Sequence, residues 1–188
     1  FTEKSMDLRN HTIVTKTVEP AAEEEVEGTK KVMGGEDWLD WIKALKVADV
    51  LEDNALTVAY SYIGPRLTYP IYYDGTIGQA KRHLEKTARV IREEFPDVRA
   101  LISVNKALVT QASAAIPIVP LYFAVLYGVM KEAHTHEGCI EQMVRLFREK
   151  LLEENPPTDE AGRIRMDDWE LEEHIPVSYT HLTLPTIL

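Results

Sequence analysis

The amino-acid sequence predicts an α/β protein: a parallel sheet with helices packed against it. Three observations carry that expectation. Residues 55 to 63, "ALTVAYSYI", form an apolar, partly β-branched run that Gly64-Pro65 ends, as expected of a strand buried on both faces. A long amphipathic stretch follows from Thr76 to Phe95, closed by Pro96-Asp97. "VRALISV" (98 to 104) is then a second strand. Strand, helix and strand in that order make the βαβ unit of a parallel sheet.

The remaining elements follow along the chain. "TIVTKTV" (12 to 18) alternates and is β-branched, which predicts a strand ended by Pro20. Residues 21 to 33 predict an acidic helix with Val26, Val32 and Met33 as its sparse apolar positions, stopped by Gly34-Gly35. In "EDWLDWIKALK" (36 to 46), Trp38, Trp41, Ile42 and Leu45 recur at helical spacing, so both tryptophans are expected in the core. The helix from Thr76 carries Ile77, Ala80, Leu84, Ala88, Ile91 and Phe95 on its inner stripe. Residues 119 to 133 predict a helix with Pro120 in its first turn. Residues 137 to 152 predict another, with Ile140, Met143, Val144, Phe147 and Leu151 aligned as its apolar stripe. "NPPTDEAGR" is a turn-rich linker, and "IRMDDWELEEHI" opens a further small unit.

Composition narrows the function. The chain has 188 residues, 45% hydrophobic and 28% charged, with a formal net charge of −10. No basic block interrupts this acidity, which argues against nucleic acid as a partner. One cysteine, Cys139, rules out an internal disulfide framework and a cysteine zinc cluster, and it is expected to be inert and partly buried. The longest apolar run, Ala112 to Val129, is broken by Ser113, two prolines and two tyrosines, so no membrane span is expected and a cytoplasmic protein fits. His134 and His136 lack convincing metal spacing, and no metal is expected.

The chemistry concentrates in "YPIYYDGTIGQAK" (69 to 81). On one continuous helix Tyr72 and Lys81 would lie about 13 Å apart and face opposite sides. Asp74-Gly75 is a turn signal, so Tyr72 can precede the helix while Lys81 occupies its second turn. That places both near the carboxyl end of a strand, where open α/β sheets take their ligands. A phenol keeps its proton at neutral pH yet can give it to a developing oxyanion, and a nearby ammonium eases that loss. Spacing alone equally admits a packed aromatic cluster with a surface lysine. Thr110, Gln111 and Ser113 interrupt an apolar region, either as a ligand-contacting loop or as a helix cap. No GxGxxG turn is present.

Six stretches stand out together: "VMGGEDWLDWI" (32 to 42), "TVAYSYIGP" (57 to 65), "YPIYYDGTIGQAK" (69 to 81), "VNKALVTQASAAIPIVPLY" (104 to 122), "HEGCIEQMVRLFREKL" (136 to 151) and "TDEAGRIRMDDWEL" (158 to 171). In this order they resemble the bacterial trans-2-enoyl-CoA reductase and enoyl-acyl-carrier-protein reductase family. The resemblance implies a Rossmann-like fold related to short-chain dehydrogenases. It implies NADH-dependent reduction of the carbon–carbon double bond of a 2-enoyl thioester, carried on CoA or acyl carrier protein, in fatty-acid biosynthesis. The family's tyrosine–eight residues–lysine pattern falls on Tyr72 and Lys81, and its second tyrosine on Tyr62. The resemblance implies Thr110 and Lys81 as coenzyme contacts, and Tyr62, Tyr72, Ala114 and Ile116 as substrate contacts. A carbonyl reductase on the same scaffold and a non-catalytic scaffold domain are the alternatives.

Family members are about twice as long and largely monomeric. The coenzyme-binding amino-terminal half is therefore expected to be missing, and the fragment alone to be inactive. Residues 1–157 are expected to be a partial catalytic core and 158–177 the start of a small, flavin-binding-like carboxyl-terminal domain. Residues 178–188, "SYTHLTLPTIL", match nothing in the family and have the look of translated vector.

Overall fold

A computed structural model describes residues 1–7, 9–10, 12–172 and 175. The expected tail at 178–188 lies outside them. The elements run β1 (Thr2–Asp7), β2 (Thr12–Thr17), α1 (Glu23–Met33), α2 (Glu36–Val47), β3 (Ala55–Ser61), α3 (Tyr69–Tyr72), α4 (Thr76–Glu94), β4 (Val98–Val104), α5 (Gln111–Ala115), α6 (Val119–Glu132), α7 (Cys139–Leu146) and β5 (Arg163–Arg165). They divide between two compact units.

One unit comprises residues 20–104 and 157–165. Its sheet has the order β3-β4-β5, all parallel. The expected βαβ unit is β3, α4 and β4, with Ala55 opposite Val98 and Ser61 opposite Val104. Alternate residues of β4 point to α4 and α2. Val98 and Ala100 pack with Ile42 and Ile91, while Ile102 and Val104 pack with Leu84 and Ala88. Trp38 bridges both clusters and donates from Nε1 to Thr57 Oγ1 at 2.9 Å. Lys46 and Asp97 form an ion pair. Arg163 ties β5 to α4 through Glu85 (2.9 Å) and to its own turn through Asp159 (2.9 Å).

Two expectations fail in this unit. Trp41 is 66% exposed. The buried face of α2 is centred on Ile42 between Trp38 and Leu39, and Trp41 lies about 100° round the helix from that centre. Strand β3 is not buried on both faces, because Leu56 and Tyr60 are exposed on the side away from α4.

The other described unit holds residues 1–19 and 105–156 with the segment from Met166. Strands β1 and β2 form an antiparallel hairpin, Thr2 opposite Thr17 and Asp7 opposite Thr12. Ser5 is the one buried residue of β1, and its Oγ accepts from Ile118 N at 3.2 Å. Helix α6 buries Val119, Leu121, Tyr122, Phe123, Leu126, Val129 and Met130.

Helix α7 reverses the expected polarity. Ile140, Val144 and Phe147 are exposed, whereas Gln142, Arg145 and Leu146 are buried. Arg145 explains it: its guanidinium donates to both oxygens of Glu137, to Asp168 and to the carbonyl oxygen of Met166. These partners satisfy a buried charge, and they fix the helix's inner face. Over Phe147–Leu151 the helix widens, which shifts its phase and brings Leu151 inside.

Candidate active site

Strand β3 ends at Ser61, and the turn after it presents the first tyrosine. Gly64 has φ +71°, and a Cβ there would lie 2.4 Å from Thr68 Oγ1 and 2.5 Å from Tyr62 Oη. Only glycine lets the backbone turn this tightly beneath the Tyr62 phenol. Thr68 Oγ1 donates to the Pro65 carbonyl oxygen at 2.9 Å and holds the turn closed.

Helix α3 presents the second tyrosine. The amides of Tyr73 and Asp74 both donate to the Tyr69 carbonyl oxygen, at 2.9 and 2.7 Å, and end the helix. The Tyr73 carbonyl then lies directly on the first turn of α4: a Cβ on Gly78 would be 2.0 Å from that oxygen. Arg82 Nη1 donates to the same oxygen at 2.8 Å, and its guanidinium sits over the Tyr73 ring. Tyr72 is thereby fixed before α4 and is 8% exposed. Its ring meets that of Tyr62 edge to face, with centroids 4.7 Å apart.

Lys81 occupies the second turn of α4, half-buried. Burial pushes its pKa below the ordinary lysine value. No described residue hydrogen-bonds or ion-pairs with it, so it neither touches Tyr72 through a hydrogen bond nor has a carboxylate partner. Charge of this kind is a cost to the fold unless a ligand shares it.

Thr110, Ala114 and Ile116 belong to the other unit. Thr110 caps α5: its Oγ1 accepts from Ser113 N (3.2 Å), and Ser113 Oγ accepts from Thr110 N (2.9 Å). The capping alternative is thus present in the structure, and it leaves the Thr110 hydroxyl proton free to be donated. Thr110 and Ala114 are exposed and Ile116 is half-buried. Cys139, expected to be partly buried, is exposed in the first turn of α7, because the residues that this helix buries, Gln142, Arg145 and Leu146, lie further along it. Among the described residues no cluster of His, Cys, Asp or Glu is placed to hold a metal, and no helix is long and apolar enough to cross a membrane.

A family model described as the trans-2-enoyl-CoA reductase catalytic region matches residues 1–152. The chain belongs to the trans-2-enoyl-CoA reductase family. It is 58% identical over 177 residues to a trans-2-enoyl-CoA reductase [NADH] of Clostridium perfringens (strain 13 / Type A), covering 93% of this chain and 45% of that protein. It is 53% identical over 179 residues to an enoyl-[acyl-carrier-protein] reductase [NADH] of Coxiella burnetii (strain Dugway 5J108-111), covering 93% of this chain and 44% of that protein. The crystal structure of Treponema denticola trans-2-enoyl-CoA reductase in complex with NAD superposes with a TM-score of 0.92 at 52% identity, over 97% of this chain and 46% of that one. The chain therefore spans about half the length of the relatives it matches. The parallel sheet with flanking helices is Rossmann-like, as the family resemblance implies.

One buried polar group next to these tyrosines escapes the sequence reading. Ser61, next to Tyr62, is 4% exposed, and its Oγ has no hydrogen-bond partner among the described residues. The signal in the sequence is slight: a single hydroxyl closing an apolar strand.

Proposed function

We propose that the protein carrying this chain reduces the carbon–carbon double bond of a trans-2-enoyl thioester to the saturated acyl thioester, with NADH, in fatty-acid biosynthesis. The observation that supports it best is the Tyr62–Tyr72 ring pair on the unit that also carries the half-buried Lys81, which has no hydrogen-bond partner among the described residues. Two such phenols and a lone ammonium suit a reaction that develops negative charge on oxygen.

NADH, when bound, supplies the hydride that adds to the β-carbon. The thioester carbonyl oxygen then gathers enolate charge. Tyr72 Oη donates a hydrogen bond to that oxygen and passes on its proton, and the α-carbon ends protonated. Tyr62 holds the Tyr72 ring from the side and offers a second donor. Lys81 lowers the cost of phenolate at Tyr72 and donates to hydroxyls of the coenzyme. That no described residue bonds to it fits a residue whose partner arrives with the ligand. Thr110 offers its hydroxyl proton to the coenzyme, and Ala114 and Ile116 contact the acyl chain.

The relatives include reductases of both carriers, CoA and acyl carrier protein. The remainder of the coenzyme pocket is assigned to the length of the relatives that this chain does not span. Turnover is accordingly expected from the whole reading frame and not from these 188 residues alone.

The test is loss of NADH absorbance with crotonyl-CoA and crotonyl-acyl carrier protein, for the whole protein and its Tyr72→Phe variant. A fall of about 10²- to 10⁴-fold in the variant supports the assignment. Turnover of simple ketones without turnover of crotonyl thioesters would move the assignment to a carbonyl reductase. Full activity of Tyr72→Phe would remove the proton donor.

A further inference from the structure

The Ser61 hydroxyl lies in the seam between β3 and α4. Ser61 pairs in register with Val104, and Ala59 with Ile102. Ile102 and Val104 point to α4, where they pack with Leu84, Ala88, Ala59 and Ile63. Paired residues on adjacent strands, and alternate residues along one strand, share a face. Ser61 therefore faces α4, between Ala59 and Ile63 in sequence, at the carboxyl end of its strand. A helix that returns the chain from β3 to the parallel β4 runs antiparallel to both, so its amino-terminal turns lie at that same end. Lys81 is three residues before Leu84 on the packed stripe of α4. The seam thus brings one enclosed hydroxyl and the half-buried Lys81 to the same end of the sheet. Neither has a hydrogen-bond partner among the described residues.

Buried polar atoms are rarely left unsatisfied, so the enclosed Ser61 hydroxyl, with the half-buried Lys81 at the same end of the seam, calls for a ligand that both can reach. Its chemistry follows from theirs. An ammonium only donates, whereas a hydroxyl donates and accepts, so the ligand atom must accept from Lys81 and exchange a hydrogen bond with Ser61. A ligand hydroxyl does both. A phosphate would call for further cations, and Arg82, the next one along α4, is already engaged by the Tyr73 carbonyl and ring. Thr135 Oγ1 is likewise enclosed without a partner among the described residues.

We propose that Ser61 is a ligand-binding residue, its hydroxyl sharing with Lys81 a ribose hydroxyl of bound NADH. The proposal rests on the reductase reading above. It predicts a separation of binding from stability. Removing an unpartnered hydroxyl relieves the free protein, and removing a ligand contact weakens the complex.

NADH dissociation constants, read from NADH fluorescence, are measured for the whole protein and for Ser61→Ala, with melting temperatures taken before NADH is added. Ser61→Ala is expected to bind NADH about three- to tenfold more weakly while melting at the same temperature or higher. An unchanged dissociation constant in Ser61→Ala would overturn this proposal and leave the reductase reading standing. Absence of NADH binding in the unaltered protein would overturn both. Should Ser61→Ala melt early, Ser61→Cys, which keeps the volume with a weaker donor, carries the test: tight binding equal to that of serine then counts against the proposal.

Discussion

The rings of Tyr62 and Tyr72 meet edge to face, centroids 4.7 Å apart and planes at 85°. One tyrosine follows strand β3 and the other ends helix α3, so a turn and a helix must both be placed for the contact to form. An edge-to-face pair adds roughly 1 kcal/mol beyond area burial, and it confines each ring. Tyr72→Phe keeps the ring and the contact but removes the phenol proton. It is expected to lower the rate of crotonyl-thioester reduction about 10²- to 10⁴-fold with stability changed by less than about 1 kcal/mol. Tyr62→Phe is expected to cost less activity. Steady-state rates beside urea unfolding of the same preparations check both; a large stability loss in Tyr72→Phe would instead mark the phenol as a structural hydrogen-bonding group.

Lys81 opposes stability to function. Burial lowers its pKa from the ordinary value of 10.5. The unfolded chain therefore binds this proton more tightly than the folded one. Below the folded pKa the unfolded state is favoured by the full difference, and this penalty fades as pH rises through the folded pKa towards 10.5. Lys81→Met removes the penalty. The variant is expected to be more stable than the parent at neutral pH, with the gap closing by about pH 10, and to lose reductase activity. Urea midpoints at the two pH values decide it. A variant less stable than the parent at neutral pH would mean that Lys81 has a stabilising partner.

Gly78 sets the distance between α3 and α4. A Cβ at this position would fall 2.0 Å from the Tyr73 carbonyl oxygen, a backbone atom that cannot swing aside. Gly78→Ala must push α3 away and Tyr72 with it. The expected cost is about 1–3 kcal/mol, the range of overpacking, with a fall in turnover larger than that of a surface glycine such as Gly28, where a Cβ meets nothing. Comparing Gly78→Ala with Gly28→Ala in melting and rate assays tests this. Equal behaviour would mean that the two helices tolerate separation.

The parts of this architecture that repeat a strong period were legible in the sequence. The β3-α4-β4 unit follows from two apolar strands and one long amphipathic helix, and the Asp74-Gly75 turn placed Tyr72 before α4. Elements shaped by a few polar partners were not. Strand β1, "TEKSMD", has one buried residue and no apolar alternation, so it exists through its pairing with β2. Strand β5 has three residues, and the ion pairs of Arg163 hold it in place. In α7 the apolar stripe outweighs Arg145 in any periodicity sum, yet Arg145 faces inward because Glu137 and Asp168 await it there. Ser61 was invisible for the same reason: whether a hydroxyl is satisfied depends on neighbours distant in sequence.

Arg145 gives the sharpest test of that polar logic. Its side chain is buried, donates to Glu137 at 2.8 and 2.9 Å in a fork, to Asp168 at 2.9 Å and to the Met166 carbonyl at 2.7 Å, and lies 4.2 Å from the Trp169 ring centroid. Glu137 is equally enclosed. Removing one member of a buried pair strands the other's charge, so Arg145→Met is expected to cost about 3–5 kcal/mol. Arg145→Lys should fare little better, since one ammonium cannot reproduce the fork and the ring contact together. The double variant Arg145→Met/Glu137→Leu removes both charges, and it is expected to recover most of the loss. The coupling is read from the four unfolding free energies of a double-mutant cycle. If the double variant is as unstable as the sum of the singles, the pair is not what turns α7 inward, and the Met166 carbonyl and Trp169 contacts must be doing so.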